Sequence, residues 1–471
     1  MPRPFSALRR PTFAAALCAA ALATGCNATL RNNMAAYNAR LAGGLYADAA
    51  TNAIHHAGRS ADDEPMWRLD AASAAALAGD PATALDQFDR AEATFRATDE
   101  RGVARDVAEA GLAIVWSDNA SRYAATGPER VFCNLEKAFL RGATGDRPGA
   151  LVEFNRALQR QRNYLDARER AVAAALERAE KDAPSLKRAP LASYQGVLAA
   201  CRVDPEDFAD PAARARAPFY NPYLLHAAGV FRALYGVGGQ DELALAARLF
   251  PGSARIAEDA AALASGTGLP GGTVWVYVED GLSPDYREAR CDLNFLNAYI
   301  AAVHAPLPVV ALPALRPRGA ANASYSIGSA ALEPFADVDE LVRHDFSLRF
   351  RAILARECSR AIVKAIAGVV AHAMTNSGND KTRTIGLVAE LGLLAYNEAS
   401  AGADLRVWGA LPKRVFAGRV PRPADGVLRL DATNGRQYAV PVPEGSSMVL
   451  FRFPTAAAQP AAFVVSFPGS R

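Results

Sequence analysis

Few side chains in this chain stand where their spacing would let them do chemistry together. Six cysteines and six histidines are spread over 471 residues. The cysteines form no C-x-x-C pair and have no histidine at zinc-ligand spacing, so no metal site is expected. His55-His56 have no thiol or carboxylate within ligand reach and read as surface or groove residues near the end of a helix. There is no Gly-x-Ser-x-Gly, no His-Glu-x-x-His, no P-loop and no Gly-x-Gly-x-x-Gly behind a strand. Gly236-Val-Gly-Gly239 follows a helical stretch and is a turn, not a phosphate cradle. Glu279-Asp280 is the nearest approach to a carboxylate pair for acid–base work. Adjacent residues at a strand end point to opposite faces, however, so the pair is expected to belong to a turn. Asp337 and Asp339 read as helix-capping residues before they read as calcium ligands. No catalytic residue, metal or cofactor is expected.

One thiol has a context that implies a specific reaction. Arg3, Arg9 and Arg10 form a positive segment, Phe13 to Ala23 is an apolar run, and the run ends Leu22-Ala23-Thr24-Gly25-Cys26. About 20 apolar residues are needed to span a bilayer, so this shorter run fits an export signal over residues 1–25. Small residues before the cysteine suit a peptidase that takes a slim extended chain, and the pattern resembles the bacterial lipobox, with diacylglycerol attached to Cys26. Ala23 stands where leucine is commoner. Losing the signal removes three arginines and no acids, which takes the formal charge from +3 to zero. The basicity thus belongs to the signal and gives no case for nucleic-acid binding. Cys18 is lost with it, leaving Cys133, Cys201, Cys291 and Cys358. They could pair in an oxidising compartment, but Cys133 and Cys358 lie in helical stretches where a buried free thiol fits as well.

Residues 26–265 are rich in alanine, leucine and arginine with helical periodicity. Gly79-Asp80 leads to Ala84, Phe88 and Ala91, and Gly145-Asp146 leads to Ala150, Phe154 and Ala157; Gly44 to Ala49 is a fainter copy. These intervals match the period of tetratricopeptide repeats, with a degenerate unit around Ala104 to Tyr123. Prolines at 205, 211, 218 and 222 mark a corner, and residues 266–272, Gly-rich, read as a linker between separate domains.

Residues 273–471 have a different texture. Thr273 to Glu279 is a strand, and a long helix starts after the acidic cap at Asp337 and runs to about Ala373. Ile385 to Tyr396 reads as a buried core helix. Five strands follow from Arg414 onward, with a type I′ turn at Asn434-Gly435. The fold class expected is α+β and multidomain: all-α repeats, then long helices on a mostly antiparallel sheet.

Glu279-Asp280-Gly281-Leu282-Ser283-Pro284, Arg360 to Ala365, and Trp408-Gly-Ala-Leu-Pro412-Lys413 with Arg419 to Pro423 resemble an uncharacterised family of bacterial lipoproteins that joins tetratricopeptide-like helices to a C-terminal domain. The likeness covers most of the mature chain and is strongest over 273–455. It implies topology and a place in envelope assembly, without an activity. Asn27 follows the cysteine where an inner-membrane lipoprotein commonly carries aspartate, which points to the periplasmic face of the outer membrane. Three functions are open at this level: a non-enzymatic scaffold whose repeat groove, expected to be at least partly open, binds another envelope protein; a C-terminal enzyme or binding module for peptidoglycan or polysaccharide; and a subunit of a secretion assembly.

Overall fold

The computed structural model describes residues 29–102, 122–182, 220–291, 310–389 and 402–468. Cys26, the export signal, most of the degenerate repeat, the first three prolines of the corner and Cys201 lie outside them. The N-terminal part is built from helical hairpins. Helices α1 (29–42) and α2 (Tyr46–Ala57), α3 (Glu64–Leu77) and α4 (Pro81–Gly102), and α5 (Gly127–Ala143) and α6 (Arg147–Asp182) are each joined by a glycine turn. Gly44, Gly79 and Gly145 have φ of 75°, 79° and 89°. That left-handed conformation suits glycine and closes a helix C-terminus. The aspartate that follows starts the next helix: Asp80 accepts from Thr83 N at 3.0 Å and Asp146 from Gly149 N at 2.9 Å. The repeated Gly-Asp thus ends one helix and caps another.

Ala84, Phe88, Ala91, Ala150, Phe154 and Ala157 are all buried where the second helix of each hairpin meets its neighbours. Spacings of four and three place them on one stripe. Ala84→Leu or Ala150→Leu is expected to overpack the hairpin and cost roughly 1–3 kcal/mol. Thermal unfolding checks this, and an unchanged midpoint in both variants would contradict the close packing.

Three further helices, α7 (Pro222–Tyr235), α8 (Gln240–Leu249) and α9 (Ala254–Ala264), lead into the sheets. The strands are β1 (Thr273–Asp280), β2 (Asp285–Cys291), β3 (Val310–Arg316), β4 (Tyr325–Ile327), β5 (Ala330–Ala331) and β6 (Glu333–Asp337). After α10 (Val338–Thr375) and α11 (380–389) come β7 (Arg414–Pro421), β8 (Val427–Ala432), β9 (Gln437–Pro441), β10 (Ser446–Phe453) and β11 (Ala461–Phe467). The main sheet has the order β11-β10-β1-β7-β6, with β1 and β10 parallel and the other pairs antiparallel. A second sheet, β5-β4-β8-β9, covers one face of it, and β2-β3 is a separate ribbon. The class is α+β. Asp337 caps α10 by accepting from Glu340 N at 3.0 Å.

The core does not divide at residues 266–272. One apolar cluster runs from Tyr37 and Trp67 in the repeats through Trp275 and Tyr277 of β1 to Trp408 and Phe467. A smaller cluster fills the space between the two sheets. Every residue of α3 from Pro65 to Leu77 is buried, because α2 and α4 pack along it and segment 402–411 covers the remaining side. Trp408 donates its indole N–H to Ser73 Oγ at 3.1 Å and packs edge-on against Phe88. Tyr46 OH donates to the carbonyl of Gln459 and Thr455 Oγ1 to that of Ala42, while Arg147 Nε donates to that of Ser466 at 2.8 Å. The inner helices that were expected to line an open groove therefore pack on segment 402–411 and β11.

The far end of α10 differs from expectation in the opposite sense. Gly386 of α11 lies so close to Met374 and Thr375 that a Cβ there would sit 2.3 Å from Thr375 N. Only that narrow contact is covered, and Ile385, Leu387 and Val388 are exposed together with Val369 and Val370. The described part of α11 is thus not a buried core helix; residues 390–396 lie outside the described residues. Among the described residues no helix is long and apolar enough to cross a membrane.

Candidate functional site

The strand β1 sets up the most chemically loaded region of the molecule. Its alternation sends Val274, Val276 and Val278 into the layer between the sheets, and Trp275 and Tyr277 toward the helices. Glu279 and Asp280 continue that alternation, so they face opposite ways. They are not turn residues: both are strand residues with no solvent exposure, and the turn begins at Gly281, with φ of 69°. A Cβ at Gly281 would lie 2.8 Å from the Gly319 carbonyl, which is why glycine is needed there.

Asp280 is fully satisfied. It accepts from Tyr325 OH at 2.7 Å, Asn322 N at 2.8 Å and Arg414 Nε at 3.0 Å. The two motif segments lock together beside it. Ser283 N donates to the Leu411 carbonyl at 2.8 Å, Gly281 N to that of Phe453 at 2.8 Å, and Lys413 N to that of Asp280 at 3.2 Å. Val338 N and Asp339 N both donate to the Lys413 carbonyl. Asp339, read from the sequence as a cap, instead pairs with the Lys413 ammonium. Burial pushes the Asp339 carboxyl up to about 6 although Lys413 opposes it. Glu279, Asp280, Gly281, Pro284, Trp408, Pro412 and Lys413 therefore belong to one joint where the sheet meets the helical repeats.

Glu279 looks the other way, into a polar seam between repeats and sheet. Its partner is Arg452 of β10, 3.3 Å away, and Glu136 of α5 stands on the opposite side. The seam continues through Tyr37, Asp70 and Arg318. Asp70 accepts from Gly409 N at 2.9 Å, and Glu129 accepts from Trp408 N at 2.9 Å and from Tyr123 OH at 2.6 Å. Both Glu279 oxygens, one Glu136 oxygen, Ser283 Oγ and two Arg318 nitrogens are buried without a well-aligned hydrogen bond. Arg452 pairs with Glu279, and among the described residues Glu136 stands near that pair without a cation of its own, which favours its protonated form. Burial, with the Glu279 charge adding and Arg452 opposing, pushes Glu136 up to about 8. Burial also raises Glu279, against Arg452.

A raised carboxyl favours the protonated fold. The stability Glu136 contributes is whole below its ordinary value of 4.5 and is lost as pH rises through about 8. Glu136→Gln keeps the neutral shape, so its denaturation midpoint should fall less than the parent's across that window. Parallel pH profiles for the two proteins would contradict a protonated Glu136.

Two other groups look catalytic in composition and are structural in setting. His226 Nδ1 lies 2.8 Å from Tyr277 OH, and its Nε2 lies 2.9 Å from Asp259 Oδ2, which also takes Trp275 Nε1 at 2.8 Å. Burial works against the Asp259 charge, but bonds from His226, Trp275 and Arg419 outweigh it and hold the carboxyl below its ordinary range. Burial pushes the Tyr277 hydroxyl well up, so it is no nucleophile, and all three side chains are sealed in the core. They rivet α7 and α9 to β1. In the repeats, Asp89, Glu92 and Glu153 come together as metal ligands would. The Lys137 ammonium stands among them, 2.7 Å from Asp89, 3.0 Å from Glu153 and in close contact with Glu92. Burial disfavours the Glu92 charge, yet Lys137 and Arg160 hold its carboxyl down at about 2. A lysine fills the place of the cation.

His55 and His56 meet edge to face near the end of α2, and His56 lies over Trp67 at 4.9 Å. Burial lowers its imidazole below the ordinary value, consistent with a packed, neutral ring. Cys133 is a buried free thiol, and burial pushes it up to about 12, so it is inert.

Sequence reasoning missed Glu136, Lys137, Arg318 and Arg452. The first two carried a misleading signal. The helix that holds them is amphipathic, and a charged face on such a helix ordinarily reads as the solvent side. The arginines carried none, because their partners lie far away along the chain.

No protein-family model matches the chain, and no curated protein or solved structure matches it.

Proposed function

We propose that this chain is a lipid-anchored scaffold of the bacterial envelope, held by acylated Cys26 to the periplasmic face of the outer membrane and without enzymatic activity. The observation that carries the reading is the sequence start: three arginines, a short apolar run and Ala-Thr-Gly before Cys26. The likeness of Glu279 to Pro284 and Trp408 to Lys413 to a family of envelope lipoproteins supports the same address. The buried joint supports a scaffold over an enzyme, since Glu279, Asp280 and Asp339 are all buried and engaged with neighbouring cations. On this reading the helical repeats clasp the chain's own α+β half into one body, and a partner envelope protein meets an outer surface of that body instead of the repeat groove.

Cys26→Ser tests the anchor. The variant should accumulate as an unprocessed, unacylated precursor and take up no label from radioactive palmitate. Label that persists in this variant would contradict the reading.

A further inference from the structure

The distance between the anchor and the fold restricts how the body can sit on a bilayer. Only Asn27 and Ala28 separate Cys26 from Thr29, the first described residue of α1. Three residue steps reach at most about 11 Å even when fully extended. Helix α1 is itself fixed to the body, because Leu30 and Met34 pack against the core and Tyr37 and Leu41 are part of it. An acyl chain on Cys26 therefore leaves almost no slack, and the surface around the first turn of α1 is carried to headgroup level.

That surface has a definite composition. Arg31 lies 3.5 Å from Glu288 of β2, and Arg290 lies 3.3 Å from the same carboxylate. The Arg31 and Arg290 side chains are 48% and 69% exposed, whereas Glu288 is 16% exposed. Glu288 also accepts from Ala403 N, so it ties α1, β2 and segment 402–411 together from below. Two outward guanidiniums outnumber the one recessed carboxylate. Guanidinium matches the geometry of a phosphate oxygen pair, and such attraction acts only within a Debye length of about 8 Å. A tether of at most about 11 Å is comparable to that length, so the patch stays close to the headgroups. We infer that the patch formed by Arg31, Glu288 and Arg290 is the bilayer-facing surface of the protein, with its two guanidiniums among anionic lipid headgroups.

This inference rests on acylation of Cys26 and adds an orientation to it. The rival contact surface is the exposed apolar end of α10 and α11. Arg349 of α10 bonds Tyr286 of β2 at 2.8 Å, and Val370 lies 21 residues further along the helix, about 30 Å away. The two surfaces can thus be told apart by local probes.

The test uses the full-length lipoprotein reconstituted in vesicles of phosphatidylethanolamine and phosphatidylglycerol. A photo-crosslinking phenylalanine analogue replaces, one at a time, Arg31, Arg290, Val370, Leu387 and, as an exposed apolar control in the α7–α8 turn, Val237. Mass spectrometry of the N-terminal peptide reports acylation of Cys26 in each sample. Phospholipid adducts are expected at Arg31 and Arg290, severalfold above those at the other three positions. Adding Arg31→Glu to the Arg290 probe should lower its adduct yield in these vesicles and have little effect in purely zwitterionic ones. Adducts confined to Val370 and Leu387, or absent everywhere while Cys26 is acylated, would overturn the orientation and leave the anchor standing. An unacylated Cys26 would remove both.

Discussion

Replacing Lys137 with methionine should destabilise the protein by about 3–5 kcal/mol, the usual consequence of removing one partner from a buried ion pair. Lys137 is wholly buried between Glu92 and Glu153, which are 4% and 2% exposed in their side chains. Methionine keeps most of the volume, so the loss reports the charge and not a cavity. Arg156 and Arg160 touch the same carboxylates from the rim and would hold the cost toward the lower end. Adding Glu92→Gln to the methionine variant should recover part of the loss, because one stranded charge is then gone. Urea unfolding of the four proteins in a double-mutant cycle measures the coupling. A methionine variant as stable as the parent would mean that the cluster is solvated and does not hold the repeat together.

Trp408→Ala is the second large effect expected. The indole is completely buried between α3, α4 and the sheet, and removing such a side chain costs about 3–5 kcal/mol. It would also leave Ser73 Oγ without its 3.1 Å donor. What distinguishes this residue is where the damage should spread. Because Trp408 and Gly409 bond to Ser73, Asp70 and Glu129, hydrogen exchange should accelerate in α3 and α5 as well as in segment 402–411. Acceleration limited to 402–411 would show that the repeats stand without their C-terminal half.

Much of the local structure was legible because local chemistry determines it. The Gly-Asp pairs at 79–80 and 145–146 mark real turns, since a left-handed residue and a side-chain cap both depend only on neighbours. The alternation in β1 and the cap at Asp337 belong to the same kind. The hairpin at Asn434-Gly435 is real but closes through a three-residue loop, 433–435, with Gly435 N donating to the Ala432 carbonyl. It is not the two-residue type I′ turn. The strand β2 was not seen because Asp285-Tyr-Arg-Glu-Ala-Arg is too charged to read as one, and only pairing with β3 makes it a strand. The joint was half legible. The motif residues could be named, but their meeting depends on contacts such as Trp408 with Ser73, 335 positions apart. For the same reason nothing in the repeats announced that their inner face would be filled by the chain itself.

That intramolecular clasp is the central claim, and hydrogen exchange of the mature chain through a denaturant series tests it most directly. If the repeats and the α+β half share one core, amides in α3 and α5 should lose protection at the same denaturant concentration as those in β1 and β10. Loss of protection in α3 and α5 at clearly lower denaturant, with β1 and β10 still protected, would contradict the clasp and restore the repeats as a separate domain with a face free for a partner.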